Sequence, residues 1–167
     1  MNSTGHSAWR PWPVLLAVLL LTSCASQSVR DRQAVDDMRR QADNQGILQV
    51  YTVGNPEAAD LIERAREAEA GQDVVTALAM TREALEIEPN DPEYWQYLAE
   101  LQLLQKDYAR ARRSAQQSYA MGPQVGQLCY RNWLIIQRAE QALGNGAAAG
   151  IAAQRAERCT LKEAQTF

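Results

Sequence analysis

The sequence predicts an all-α fold of about three helical hairpins, and three observations support this prediction. Two units of 34 residues, Ala58–Asp91 and Pro92–Val125, align with each other, and each contains two helix-length apolar patterns. A third helix pair is predicted at Gln127–Leu143 and Ala147–Leu161. The single β-like run, Ile47–Val53, has no partner strand, so we expect it to lie extended against the helical body.

The composition is that of one modest folded domain. The chain has 167 residues, 46% hydrophobic and 22% charged, with a formal net charge of −3. No Lys/Arg-rich block is present, which argues against a nucleic-acid partner. The only histidine, His6, lies in a segment that we expect to be removed. We therefore predict no histidine-dependent chemistry, no metal site and no cofactor.

Residues 1–23 are predicted to be a signal peptide. Val14–Leu21 is an uninterrupted apolar run of eight residues, too short to span a bilayer of about 30 Å as a helix. The following Leu21-Thr22-Ser23-Cys24 resembles the bacterial lipobox. This resemblance implies cleavage before Cys24, acylation of Cys24 with fatty acids such as palmitate and, because Ala25 follows, sorting to the outer membrane. The alternative is an ordinary secretory signal or an uncleaved anchor, in which Cys24 is incidental.

Residues 24–56 are predicted to be the lipidated N-terminus and a tether, and residues 57–162 the helical domain. The stretch Ala25–Gly46 has few large apolar side chains, although Val29–Ala42 has the pattern of a loose amphipathic helix. Fully stretched, the segment from Cys24 to Pro56 would span about 100 Å. We expect it to let the domain reach well away from its membrane.

The aligned positions of the two units resemble the tetratricopeptide repeat (TPR) family. Small residues recur where two helices cross closely, and a proline ends each second helix. The second unit is closest to the family pattern, with Trp95, Leu98, Ala99, Tyr108, Ala111 and Pro123. Both units depart from the pattern at the turn between their helices. The usual glycine is displaced to Gly71 in the first unit, and Lys106 replaces it in the second. The third hairpin matches weakly, as expected of a terminal repeat.

Two cysteines of the third hairpin are predicted to form a disulfide. Cys129 lies 16 residues before Asn145 and Cys159 lies 14 after it, which places them at one height in an antiparallel pair of helices. Export implies an oxidising compartment, where such a bridge contributes about 3.5 kcal/mol by the chain-entropy estimate. Two buried thiols are the alternative.

The TPR resemblance implies a concave groove, lined by the first helix of each hairpin, that binds a protein segment. Transferring the groove positions gives Ile62, Arg66, Glu69, Gln96, Glu100, Leu103, Tyr130, Leu134 and Gln137. An alternative surface is the unusually apolar stretch of the third hairpin that contains Arg131, Asn132, Trp133 and Arg138.

The lipobox, the tether and the short repeat body resemble the TPR-type lipoprotein activators of class A penicillin-binding proteins. This resemblance implies a periplasm-facing, outer-membrane lipoprotein that is not an enzyme and that binds and activates a bifunctional peptidoglycan synthase. A pilotin-like assembly factor for a secretin or pilus machine is one alternative. A glycan-acting envelope enzyme is another, but it needs a cleft with paired carboxylates, and the sequence shows none.

Overall fold

The computed structural model describes residues 29–43 and 54–160, and these residues contain seven helices and no strand. The helices are α1 (29–43), α2 (Pro56–Ala70), α3 (Val74–Ile87), α4 (Pro92–Leu104), α5 (Tyr108–Met121), α6 (Gln127–Ala142) and α7 (Gly146–Cys159). Helices α2/α3, α4/α5 and α6/α7 pack as hairpins, and each hairpin packs on the next. The predicted all-α, TPR-like array is confirmed.

The hairpin turns explain how the repeats keep their geometry without the expected glycine. Gln72, Lys106 and Gly144 occupy the same place before α3, α5 and α7, and all three have positive φ, at 68°, 60° and 80°. Gln72 and Lys106 adopt this left-handed conformation although it is costly for a side chain with a Cβ. The next residue donates its N–H to the carbonyl five positions back, as Asp73 does to the Ala68 carbonyl at 2.8 Å. This is the hydrogen bond of a Schellman motif, which satisfies a free carbonyl at the helix end.

Small residues allow the helices of each hairpin to approach closely. Ala65 and Ala77 in the first hairpin, and Ala99 and Ala111 in the second, are completely buried. Two hydrophobic clusters result, one built from α2, α3 and α4, the other from α4 to α7 together with α1. Trp95 lies partly buried beside the first cluster, and its Nε1 donates to the Pro89 carbonyl at 2.7 Å.

Residues 29–43 differ from the expectation of a tether. They form α1, as the amphipathic pattern allowed, and Val35, Met38 and Ala42 are buried in the second hydrophobic cluster. These three side chains recur at i, i+3 and i+7, on one face of a helix. The packed body therefore includes residues that lie well before position 57.

The third hairpin carries the predicted disulfide. Cys129 in α6 and Cys159 in α7 are bonded, with their Cα atoms 5.6 Å apart and a sequence separation of 30. Both cysteines are buried. The bridge joins the start of α6 to the end of α7, and the Gly126 N–H donates to the Cys159 carbonyl beside it.

Several sequence predictions lie outside the described residues. They are the signal peptide 1–23, the lipidated Cys24 and the extended segment Ile47–Val53. Within residues 29–43 and 54–160, no helix combines the length and the apolar character needed to cross a membrane.

Candidate partner-binding groove

Helix α1 packs against the predicted groove residues at the centre of the array, through hydrogen bonds to Glu69 and Glu100 and a hydrophobic cluster shared with Leu103, Tyr130 and Leu134. Arg66 is exposed and Gln137 is half-buried, while the other predicted residues are buried. The buried set is Ile62, Glu69, Gln96, Glu100, Leu103, Tyr130 and Leu134. The expectation of an open groove is therefore corrected: in this structure the chain's own first helix occupies it.

The apolar half of this contact is made by Val35, Met38 and Ala42. They belong to the same hydrophobic cluster as the predicted groove residues Leu103, Tyr130 and Leu134. The cluster continues inwards to Ile135, which is 1% exposed. Side chains of α1 thus complete a core that α4 and α6 leave open on one side.

The polar half of the contact centres on Arg39. Its guanidinium donates to both carboxylate oxygens of Glu69, at 3.0 and 3.2 Å, and its Nε donates to Glu100 at 2.9 Å. Arg131 of α6 donates to the other Glu100 oxygen at 2.6 Å, and the Tyr97 hydroxyl donates to Glu69 at 3.0 Å. We call Arg39, Glu69, Glu100 and Arg131 the groove charge cluster. Its two carboxylates and two guanidiniums balance.

Protonation in the cluster follows from burial and charge. Burial alone would raise the pKa of Glu100, but Arg131 and Arg39 outweigh it, so its pKa lies below the usual range. Burial alone would lower the pKa of the Arg39 guanidinium, but Glu100 and Glu69 outweigh it, so this pKa lies above normal. Burial, and then Glu69, raise the pKa of Tyr97, which keeps its hydroxyl protonated as a donor. Glu100 and Arg39 therefore stay charged near neutral pH.

Polar contacts near both ends of α1 fix its direction. Asp31 pairs with Lys106, just beyond the end of α4, at 3.0 Å, and Arg32 donates to the Glu69 carbonyl at 3.1 Å. Near the other end, Asp43 accepts from Gln127 at the start of α6. Helix α1 therefore runs antiparallel to α4 and α6 along the length of the groove.

The alternative surface on the third hairpin proves to be largely internal. Asn132 is fully buried and donates to the Ser118 hydroxyl at 2.7 Å. Trp133 is also buried, edge-on to Tyr119 at 4.9 Å between ring centroids and covered by the Arg155 guanidinium at 4.7 Å. The apolar character of this stretch is explained by packing between α5, α6 and α7, so it does not form an exposed patch.

Four residues that contact the groove were not predicted from the sequence: Val35, Met38, Arg39 and Ala42. Their i, i+3 and i+7 apolar spacing is a signal for a packed helix. The position of Arg39 beside this stripe gave no signal of its own, because its two partners lie 30 and 61 residues away.

Two carboxylates facing one groove raise the question of glycoside hydrolysis. A general acid for that reaction needs a raised pKa, so that it carries a proton at neutral pH. The pKa of Glu100 is lowered, and both carboxylates are bonded to Arg39 beneath α1. In the described part of the chain, no group of His, Cys, Asp and Glu is arranged to bind a metal ion. The geometry is that of a docked helix.

The repeated hairpins, their left-handed turns and the first-helix groove define a TPR-like array. Residues 80–113 match the family model of the tetratricopeptide repeat. The chain is also similar to a solved structure, the globular C-terminal domain of P. aeruginosa LpoP, at 25% sequence identity and a TM-score of 0.59. That match covers 62% of this chain and 98% of the LpoP chain. None of the curated protein sequences matches this chain significantly. These similarities support a role in protein–protein interaction.

Proposed function

We propose that this chain is an outer-membrane lipoprotein whose TPR-like domain binds and activates a bifunctional peptidoglycan synthase, a class A penicillin-binding protein. The observation that carries the proposal is the similarity to the LpoP domain, because it extends over nearly all of that domain. The proposal agrees with the sequence resemblance to TPR-type lipoprotein activators.

The lipid anchor is part of the proposal. Cleavage before Cys24 and acylation of Cys24 would attach the domain to the membrane, since two or more acyl chains anchor stably. Ala25 favours the outer membrane under the same resemblance. Fractionation of cells that express the full chain tests this: we expect the protein in the outer-membrane fraction, and a Cys24→Ser variant outside it. Equal membrane recovery of both forms would contradict the anchor.

The activation is tested with the chain from Ala25 onwards, which retains every described residue. We expect it to bind the periplasmic part of the synthase from the same organism and to accelerate its consumption of lipid-linked disaccharide-peptide. Both binding and glycan polymerisation should be measured, because a passive scaffold would bind without changing the rate. Absence of both effects rejects the proposal. Loss of secretin multimers on gene deletion, with normal synthase activity, would favour the pilotin-like alternative.

Arg66 offers a matched substitution for the binding measurement. It is the exposed member of the predicted groove, 5.7 Å from the Tyr97 ring centroid. Arg64 is an exposed arginine of the same helix that faces Asp60 at 3.7 Å. We expect Arg66→Glu to weaken synthase binding several-fold and Arg64→Glu to leave it nearly unchanged. Equal effects of the two reversals would place the contact elsewhere on the domain.

A further inference from the structure

Helix α1 occupies the groove as a separate segment. The hairpins α2/α3, α4/α5 and α6/α7 follow one another through short turns, whereas ten residues, 44–53, separate the last residue of α1 from Gly54. The outward face of α1 is polar: Arg40 and Asp37 pair with each other, and both side chains are 66% exposed. Helix α1 therefore contacts the array through a single narrow face, as a bound amphipathic peptide does.

The charges of the groove specify what can occupy it. Around Arg39, the array contributes Glu69 of α2, Glu100, Gln96 and Tyr97 of α4, and Arg131 of α6. Without α1, these groups comprise two carboxylates and one guanidinium, which leaves one negative charge at the centre of an apolar groove. A helix that fits needs a cation at this point, and arginine suits it because its planar fork bonds two carboxylates at once.

The apolar positions complete the pattern. In α1 the buried residues are Val35, Met38 and Ala42, and Arg39 follows the second of them. The complementary ligand is thus an amphipathic helix with apolar residues at i, i+3 and i+7 and an arginine at i+4. The last apolar residue must be small, because Ala42 is 1% exposed and completely enclosed.

We propose that the groove is a binding site for an arginine-bearing amphipathic helix of a partner protein, and that α1 is its intramolecular occupant, displaced when the partner binds. The identity of the partner rests on the proposed function. The present proposal adds to it the surface that binds the partner and the kind of helix that binds there. A short connection gives α1 an effective concentration in the millimolar range, so a partner helix must bind the vacant groove far more tightly than that to compete. Partner binding and release of α1 are then one equilibrium.

The test uses a fluorescein-labelled peptide of residues 29–43 as the probe and the chain from Ala25 onwards as the receptor. Met38→Asp places a carboxylate in the hydrophobic cluster that α1 shares with α4 and α6, and we expect it to release α1 while leaving every residue of the array unchanged. By fluorescence anisotropy, we expect the peptide to bind the Met38→Asp chain at least tenfold more tightly than the unsubstituted chain. Arg40→Asp, on the exposed face of α1, is the matched control and should behave as the unsubstituted chain. A peptide with Arg39→Glu should bind the Met38→Asp chain at least tenfold more weakly.

Hydrogen exchange on the unsubstituted chain gives a second measurement that needs no variant. An exchangeable α1 opens locally, so its amides should exchange at least 100-fold faster than those of α4. Equal protection of α1 and α4 overturns the proposal, whether or not the Met38→Asp chain folds, because α1 would then leave only on global unfolding. Equal peptide binding by the Met38→Asp and unsubstituted chains overturns it as well. Peptide binding without synthase binding would support the groove and reject the synthase as partner.

Discussion

Replacing Glu100 by glutamine should destabilise the domain strongly although the side chain keeps its shape. Glu100 is 1% exposed, and its carboxylate accepts from Arg39 at 2.9 Å and from Arg131 at 2.6 Å. Glutamine removes the negative charge and turns one acceptor oxygen into a donor that faces donors. Arg39 retains Glu69, but Arg131 loses the carboxylate that compensates its charge.

The magnitude follows from the burial of all three groups. Removing one partner of a fully buried ion pair costs about 3–5 kcal/mol. The Arg39 and Arg131 side chains are 25% and 19% exposed, so water replaces part of the lost interaction. We therefore expect Glu100→Gln to lower the free energy of unfolding by about 2–3 kcal/mol, a large share of the 5–15 kcal/mol typical of a domain.

Urea unfolding followed by circular dichroism at pH 7 measures this loss. With an m-value of about 1.5–2 kcal/mol/M, the midpoint should fall by about 1–2 M. Asp37→Asn is the control, because the Asp37–Arg40 pair is exposed, and such pairs contribute less than about 1 kcal/mol. A Glu100→Gln midpoint that matches that of Asp37→Asn would show that the groove charge cluster does not stabilise the fold.

Three further predictions concern the caps, the disulfide and pH. Asp91 accepts from the backbone N–H groups of Glu93 and Tyr94, so Asp91→Ala should cost about 1 kcal/mol in urea unfolding and Asp91→Asn much less; equal losses would contradict its role as a cap. Replacing both Cys129 and Cys159 by alanine should cost about 3 kcal/mol, and dithiothreitol should lower the urea midpoint of the unsubstituted chain to a similar extent. Unchanged urea midpoints in the double-alanine variant and in the reduced chain would refute this stabilisation by the disulfide. The fold lowers the pKa of Glu100, and it lowers the pKa of Glu140 mainly through the hydrogen bond from Asn145. The stability that these carboxylates contribute is therefore fully present above pH 4.5 and is lost as the pH falls through their pKa values in the folded state. A free energy of unfolding unchanged between pH 5 and pH 3 would contradict it.

The hairpins were predictable because their signals are local. Each turn of the repeats is marked in sequence by Pro, Gly or Asp, and the structure shows why: Asp73, Asp91 and Asp107 accept hydrogen bonds from the first turns of α3, α4 and α5. The disulfide was predictable for a related reason. Nearly equal distances from a turn place two residues of an antiparallel pair side by side, as Cys129 and Cys159 are.

The docking of α1 was not predictable from local pattern. Its stretch contains too few large apolar residues to form a core alone, and it packs because α4 and α6 supply Leu103, Tyr130 and Leu134 as the other side. The surface expected on the third hairpin was wrong for the same reason, because its packing partners are not visible in the local pattern. In a sequence, an apolar stretch is equally consistent with a buried segment and with an exposed docking patch. The contacts of Trp133 with α5 and α7 show that this stretch is buried.

The position of α1 connects the groove to the proposed lipid anchor. With α1 docked, only residues 25–28 separate Cys24 from Val29, and five peptide units extend to at most about 18 Å. With α1 released and unfolded, the chain from Cys24 to Pro56 can be stretched to about 100 Å. If Cys24 is acylated as we propose, the domain stays close to its membrane while α1 fills the groove, and it gains reach when a partner helix takes the place of α1. Groove occupancy and reach are then coupled, because the same fifteen residues serve either as the ligand of the groove or as most of the added tether.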